Sequence, residues 1–254
     1  MIALFDFCRL MLLSDKTALV TGAANRLGAQ IARTLHQNGA NLIIHYRSSE
    51  SAALQLAADL NGQRENSVRA LGADLGSQQE LEQLAAVASA EFSGLDLLVN
   101  NASSFYPTPF GQIEASHWDD LVASNYRAPL FLSQACYPAL RRSRGCIINL
   151  LDIYATMPLN QHSVYCSAKA ANQMLVRSLA LELAPEVRVN GIAPGAILWP
   201  DSGDSDDYQQ SILEQVPLQR CGTPRNIADT ALFLATNDYI TGEVIRVDGG
   251  RQLR

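Results

Sequence analysis

Two apolar periods alternate along this chain. Seven runs, at residues 18–20, 42–44, 68–71, 97–99, 146–150, 187–192 and 244–247, are short, continuous, and rich in leucine and β-branched residues. A continuous run of that length is what a strand buried on both faces requires, because successive side chains then meet a packed layer on either side. Longer Ala- and Leu-rich stretches of helical spacing lie between the runs. Ile31 and Leu35 stand four apart, and Gly39 is placed to close their helix. Ser77 and Glu80 have the spacing of a capping box ahead of Leu81 and Leu84. Thr223 is placed to cap a helix that starts at Pro224 and turns Ile227, Ala231 and Leu234 inward.

Strand and helix alternating in this way predict a parallel sheet, with right-handed crossovers that put helices on both faces. No repeat, low-complexity tract or Pro/Gly-rich linker divides the chain. The expectation is an α/β protein: residues 15–254 as a single doubly wound Rossmann-type domain with a seven-stranded parallel sheet. Residues 1–14 are apolar but interrupted by Asp6 and Arg9, too short for a membrane span, and without the marks of a signal peptide. They are expected to form a loosely docked tail, with Met11 a candidate start.

Composition narrows the class. A hydrophobic share of 48% and a charged share of 17% are those of a soluble globular protein. The net charge is −6 with scattered Lys and Arg, which excludes the basic face that nucleic acid needs. Five cysteines (Cys8, Cys136, Cys146, Cys166 and Cys221) form no C-x-x-C pair, so neither a disulfide framework nor a metal site is expected. A reducing cytoplasm, with no membrane partner, fits best.

After the first run comes Thr21-Gly22-Ala23-Ala24-Asn25-Arg26-Leu27-Gly28, leading into a helix. A glycine-rich strand-to-helix turn lets a pyrophosphate approach the backbone and rest on the helix N-terminus. A Gly22 and Gly28 pair alone also serves a plain tight turn; its place after the first strand favours a dinucleotide. The second strand ends in His45-Tyr46-Arg47-Ser48, with no acid before Glu50. A carboxylate there would bond a ribose 2′-hydroxyl, whereas Arg47 and Ser48, with Arg26 nearby, suit a 2′-phosphate. NADPH is the expected cofactor. Asp74 and Leu75 follow the third strand, where a carboxylate suits the adenine amino group, and Asn101, Ala102 and Ser103 follow the fourth. Each of these segments alone is equally a structural turn.

Tyr165-Cys166-Ser167-Ala168-Lys169 places Tyr165 and Lys169 four apart on one helical face. A lysine cation there favours tyrosinate, which would bring the phenol below its ordinary value of about 10. Asp152 stands upstream, after the fifth run. Together with the glycine turn, the Asn100-Asn101 pair, Asn125, Pro194-Gly195 and Asp248-Gly249-Gly250, these residues resemble the short-chain dehydrogenase/reductase family over residues 16–254. The resemblance implies Tyr165 as proton donor and Lys169 as the residue that also holds the nicotinamide ribose. It implies Asn125 as support for a relay water, with Pro194 and Gly195 beside the cofactor.

Three places depart from the general family pattern: Arg26 at a usual glycine, Asp152 at a usual serine, and Ser103-Ser104-Phe105-Tyr106-Pro107 after Asn101-Ala102. All three resemble the pteridine reductase branch, and the ending Gly250-Arg251-Gln252-Leu253-Arg254 is also similar to bacterial dihydromonapterin reductases. That resemblance nominates Ser103, Phe105, Asp152, Tyr165 and Trp199 for substrate contact. Phe105 would stack on a flat ring, and Asp152 with Tyr165 would relay a proton to ring nitrogen. Residues 196–210, with Trp199, Asp201, Asp204, Asp206 and Asp207, are expected to form a loop over the substrate. The family resemblance implies a homotetramer, the branch implies that Arg254 would reach a neighbour's site, and the Ala-rich stretch with Ala168, Ala170 and Ala171 permits close helix packing. The alternatives kept open are a dihydromonapterin or dihydrofolate reductase and a carbonyl reductase.

Overall fold

The computed structural model describes residues 12–198 and 206–254. Its strands are β1 (Thr17–Val20), β2 (Asn41–Tyr46), β3 (Val68–Gly72), β4 (Leu97–Asn100), β5 (Cys146–Leu150), β6 (Arg188–Pro194) and β7 (Val244–Val247). Its helices are α1 (Arg26–Gln37), α2 (Glu50–Asn61), α3 (Gln78–Ala90), α4 (Ala115–Val122), α5 (Ala128–Ser143), α6 (Ser163–Leu183), α7 (Asp206–Glu214) and α8 (Pro224–Thr236). A π-helical turn at Ala123–Arg127 joins α4 to α5, and 3-10 turns occupy Ile153–Ala155 and Arg251–Leu253.

All the strands are parallel, in the order β3-β2-β1-β4-β5-β6-β7. The order reverses between β1 and β4, which opens a crevice beyond their carboxyl ends. Alternate residues feed two cores. Ala18, Val20, Leu42, Ile44, Leu97 and Val99 pack with Ile31 and Leu35 of α1, Leu56 and Leu60 of α2, and Ile227 and Leu234 of α8. Leu19, Ile43, Leu98 and Ile147 pack the other way, with Leu81 and Leu84 of α3, Leu132 of α5 and Val176 of α6. The doubly wound expectation therefore holds.

Burial on both faces, expected for every strand, is complete only in the middle of the sheet. β3 and β7 are partly exposed because each is an edge strand with a neighbour on one side. The cap at Gly39 forms as expected, with φ at 101° and its N–H donating to His36 O at 2.9 Å. Only half of the Ser77 capping box forms. Ser77 Oγ accepts from Glu80 N–H at 3.4 Å, but the Glu80 carboxylate takes the Asp74 N–H at 2.7 Å instead of turning back to Ser77. At α8 the reciprocal bond comes from Asn226, whose Oδ1 accepts the Thr223 N–H at 2.8 Å.

The expected tail lies mostly outside the described residues, but its end is docked rather than loose: Leu13 is buried and its N–H donates to Asn38 O at 2.8 Å. Trp199, Asp201 and Asp204 also lie outside the described residues. Among the described residues no helix is long and apolar enough to cross a membrane, and no cluster of side chains could hold a metal ion. Cys136, Cys146, Cys166 and Cys221 are free thiols. Burial pushes Cys136 up to about 12 and Cys146 up to about 11, which leaves both unreactive.

Candidate active site

The carboxyl end of β1 begins the site. Gly22 takes φ of 59°, a conformation that glycine adopts at little cost. Its N–H donates to His45 Nδ1 at 3.2 Å, so the other ring nitrogen donates to Ala73 O at 2.9 Å. This pairing defines a neutral imidazole, in keeping with a pKa that burial lowers. His45, expected at the cofactor, thus braces the turn with its ring. Gly28 is fixed by packing, since a Cβ there would lie 2.3 Å from Gly22 O and 2.6 Å from Asn101 Nδ2. Asn101 Nδ2 in turn donates to the carbonyls of Thr21 at 2.8 Å and Gly22 at 3.1 Å, tying the end of β4 to the turn. The first turn of α1 carries no carboxylate, so the positive end of its dipole is left for an anion.

A cleft of about 530 Å³ opens beside this turn. It is lined by Gly22, Arg26, Leu27, Gly28, His45, Tyr46, Arg47, Ser48, Asp74, Leu75, Asn101, Ala102 and Ser103, all expected from the sequence. Lys169, Pro194 and Gly195 are not among its lining residues. Gly195 is instead packed against Asp248, where a Cβ would approach Asp248 Cβ to 2.6 Å. Arg26 holds φ of 52°, a left-handed conformation that costs a side-chain-bearing residue about 1–2 kcal/mol. Arg47 lies at the mouth with its Nη1 3.7 Å from Asp120 Oδ1. Asp74 Oδ1 accepts the Gly76 N–H at 2.9 Å, so part of that carboxylate holds its own turn.

Asp152, Tyr165 and Lys169 form a second cluster. Tyr165 OH donates to Asp152 Oδ2 at 2.7 Å, and Tyr154 N–H donates to Asp152 Oδ1 at 3.0 Å. Lys169 is buried, donates to Leu150 O at 2.9 Å, and stands 5.7 Å from the centre of the Tyr165 ring. Burial lowers Lys169 to about 8, against the opposing pull of Asp152. Burial raises the Asp152 carboxyl, opposed by its hydrogen bonds from Tyr154 and Tyr165 and by the charges of Lys169 and Arg251. Tyr165 moves opposite to the sequence expectation: burial first, then the facing carboxylate, push the phenol well above 10. The reason is contact. Asp152 is hydrogen-bonded to the phenol oxygen, whereas the Lys169 ammonium is engaged by a carbonyl.

Asn125 sits buried in the π turn, with its amide engaged by protein groups. Its Oδ1 accepts from Ser103 Oγ at 2.6 Å, and its Nδ2 donates to Ser104 O at 2.9 Å and Leu121 O at 3.0 Å. The main-chain carbonyl of Asn125 accepts from Asn172 Nδ2 at 2.9 Å, which leaves a second lone pair on that oxygen for any water. Asn172 continues a buried chain: Asn149 Nδ2 donates to Asn172 Oδ1 at 2.7 Å, and Asn100 Nδ2 to Asn149 Oδ1 at 2.8 Å. Phe105 is 51% exposed, meets Tyr165 edge-on at 4.8 Å between ring centres, and stacks on His162 at 4.8 Å. His162, Asp120 and Asn172 were not anticipated, and none stands in a local motif that would have signalled it; Asn149 stands three residues before Asp152 at the end of β5 but was given no role.

The family described as Enoyl-(Acyl carrier protein) reductase matches residues 22–252. Pteridine reductase 1 of Leishmania tarentolae is 37% identical over 287 aligned residues, covering 93% of this chain and 96% of that protein. The 3-oxoacyl-(acyl-carrier-protein) reductase of Staphylococcus epidermidis is 33% identical over 241, covering 93% and 98%. Nodulation protein G of Rhizobium sp. is 34% identical over 243, covering 94% and 97%. Similar identity to three differently named proteins marks the family and leaves the substrate to the site. The parallel sheet, the cleft at its switch point and these relatives agree: the chain belongs to the short-chain dehydrogenase/reductase family and is an oxidoreductase.

Proposed function

We propose that this oxidoreductase reduces a pterin ring with NADPH. The observation that carries the reading is the 2.7 Å hydrogen bond from Tyr165 to Asp152 beneath the partly exposed ring of Phe105. Reduction of a ring C=N bond needs a proton on nitrogen and a flat surface against the ring, and this cluster offers both. The similarity to pteridine reductase 1 points the same way.

The residues of the cleft fit a phosphorylated dinucleotide. Gly22, Leu27 and Gly28 with the α1 N-terminus would hold the pyrophosphate; Arg26, Arg47 and Ser48 would hold the 2′-phosphate. The strained φ of Arg26 supports a role for its side chain there. Asp74 and Leu75 would flank the adenine, with Asn101, Ala102 and Ser103 along the ribose and phosphates. When bound, NADPH supplies the hydride. Tyr165 holds the transferable proton, because burial and Asp152 keep its phenol protonated well above neutral pH. Asp152 orients that phenol, and its raised carboxyl is closer to the range where it can take up and pass on a proton. Lys169 supplies a positive charge beside the pair and would contact the nicotinamide ribose.

Residues 15–254 would act as one reductase domain, with residues 196–210, including Trp199, closing over the substrate and residues 1–14 outside the machinery. A cytoplasmic homotetramer is the assembly proposed, although Ala168, one of the expected contact alanines, is buried within its own chain. Arg254 Nη1 donates to Glu214 O of its own chain at 3.1 Å. A keto-group reduction is the second reading, favoured by the likeness to a 3-oxoacyl-(acyl-carrier-protein) reductase.

The test is NADPH oxidation with biopterin, dihydrobiopterin, dihydromonapterin and dihydrofolate in parallel with keto substrates. Turnover of pterins above all others is expected; turnover of keto compounds alone would replace this reading with the second.

A further inference from the structure

The C-terminal turn packs against the short turn that holds the same carboxylate. Asp248 caps it, accepting from Gly250 N–H and Gln252 N–H at 2.9 Å each. Gly249 and Gly250, at φ of 64° and 86°, bend the chain against Val216 and Pro217. This leaves Arg251 only 7% exposed, with its guanidinium carbon 5.6 Å from the centre of the Tyr154 ring. Tyr154 is the residue whose main-chain N–H holds Asp152 Oδ1. At the other end of the same short turn, Gln252 Nε2 bonds Thr156 Oγ1. The C-terminal turn therefore clasps residues 153–156 at two points.

A buried guanidinium is costly unless its charge serves a partner. Arg251 Nε has no hydrogen-bond partner among the described residues, and no carboxylate among them stands within ion-pair distance of Arg251. The groups that act on Asp152 are Tyr165 and Lys169 from α6, Tyr154 from its own turn, and Arg251; Cys166 of α6 in turn feels its charge. Of these, Lys169 and Arg251 carry positive charge.

We propose that Arg251 is a positioning residue for the Asp152–Tyr165 pair: it braces the Tyr154 ring, which fixes the turn that aims Asp152, and it brings the positive charge of the chain's own C-terminal turn against that turn. The inference deepens the proposed function, on whose assignment of Asp152 to proton supply it rests.

The experiment compares the full chain with Arg251→Met and Arg251→Lys by two readouts. The first is the carboxyl carbon resonance of Asp152 in the cofactor-free protein, assigned with Asp152→Asn and titrated over the acid-to-neutral range. The second is the pH profile of kcat and KM for NADPH oxidation with the best pterin. Arg251→Met is expected to move the Asp152 titration, and the limb of the kcat profile that follows it, to higher pH while KM for NADPH is unchanged. Arg251→Lys, which restores the charge but not the flat contact on Tyr154, is expected to return the limb while leaving part of the kcat loss. Superimposable titrations of Arg251→Met and the unmodified chain would overturn the proposal, as would a lysine variant displaced as far as the methionine one. If Arg251→Met does not fold, Arg251→Gln removes the charge under the same readouts. Pterin inactivity with the resonance shift intact would overturn the substrate reading and leave this one standing.

Discussion

Arg47 offers the sharpest single perturbation, because its present partner and its proposed one compete for the same charge. Its side chain is 61% exposed and lies 3.7 Å from Asp120, itself 38% exposed. An ion pair so open to water is worth roughly 0–1 kcal/mol. A hydrogen bond from a guanidinium to a charged phosphate is worth about 1.5–3 kcal/mol. Exchanging the first for the second therefore favours NADPH by about 0.5–3 kcal/mol, or roughly 2- to 150-fold in affinity. Arg47→Ala is expected to weaken NADPH by that factor and to leave NADH, which lacks the 2′-phosphate, within about twofold. Asp120→Asn should act in the other sense, freeing Arg47 and tightening NADPH by up to about fivefold. The assay is a fluorescence titration of each nicotinamide cofactor at low and high salt, since the phosphate contribution is screened by ions and the adenine contribution is not. Equal losses for NADPH and NADH in Arg47→Ala would show that Arg47 is an ordinary surface charge, and the 2′-phosphate argument would fall.

Asn172→Leu leaves Asn149 Nδ2 and the Asn125 carbonyl without their partners; at about 1–3 kcal/mol for each buried orphan, a loss of roughly 2–6 kcal/mol is expected, read by urea denaturation, and a change below about 1 kcal/mol would mean that the amide chain is dispensable. Tyr165→Phe removes the hydroxyl that bonds Asp152 and should cut turnover by about a hundredfold or more while cofactor still binds; retained turnover would reject Tyr165 as proton donor. Asp152→Ser should preserve keto-group reduction, if any is present, while abolishing pterin reduction, so a parallel fall in both would detach Asp152 from substrate choice. His36 is buried against Ser67 with its pKa lowered to about 4 by burial and by the Arg64 charge. The unfolded chain binds a proton from about 6.5 downward while the native state does not, so this stability is present above about 6.5 and is lost as pH falls toward about 4. His36→Gln should flatten the denaturation midpoint across that window, and an unchanged slope would refute the assignment.

Local periods and short spacings were legible in the chain by itself. Continuous apolar runs located all seven strands of the sheet, and strand alternating with helix implied its parallel order. The stretch from Gly22 to Gly28 spans one strand-to-helix connection and Tyr165 to Lys169 one turn of α6, so residue order alone placed them. What the sequence could not carry was the meeting of elements remote along the chain. The edge exposure of β3 and β7 follows from sheet order, not from their composition. Asp120 meets Arg47, Asn172 meets Asn125, and Arg251 meets Tyr154 only because crossovers bring α4, α6 and the C-terminal turn to the carboxyl ends of the strands. The state of Tyr165 was likewise decided in three dimensions. Spacing put a cation on its helical face, but the charge hydrogen-bonded to its oxygen is a carboxylate from another element, and proximity sets which charge dominates.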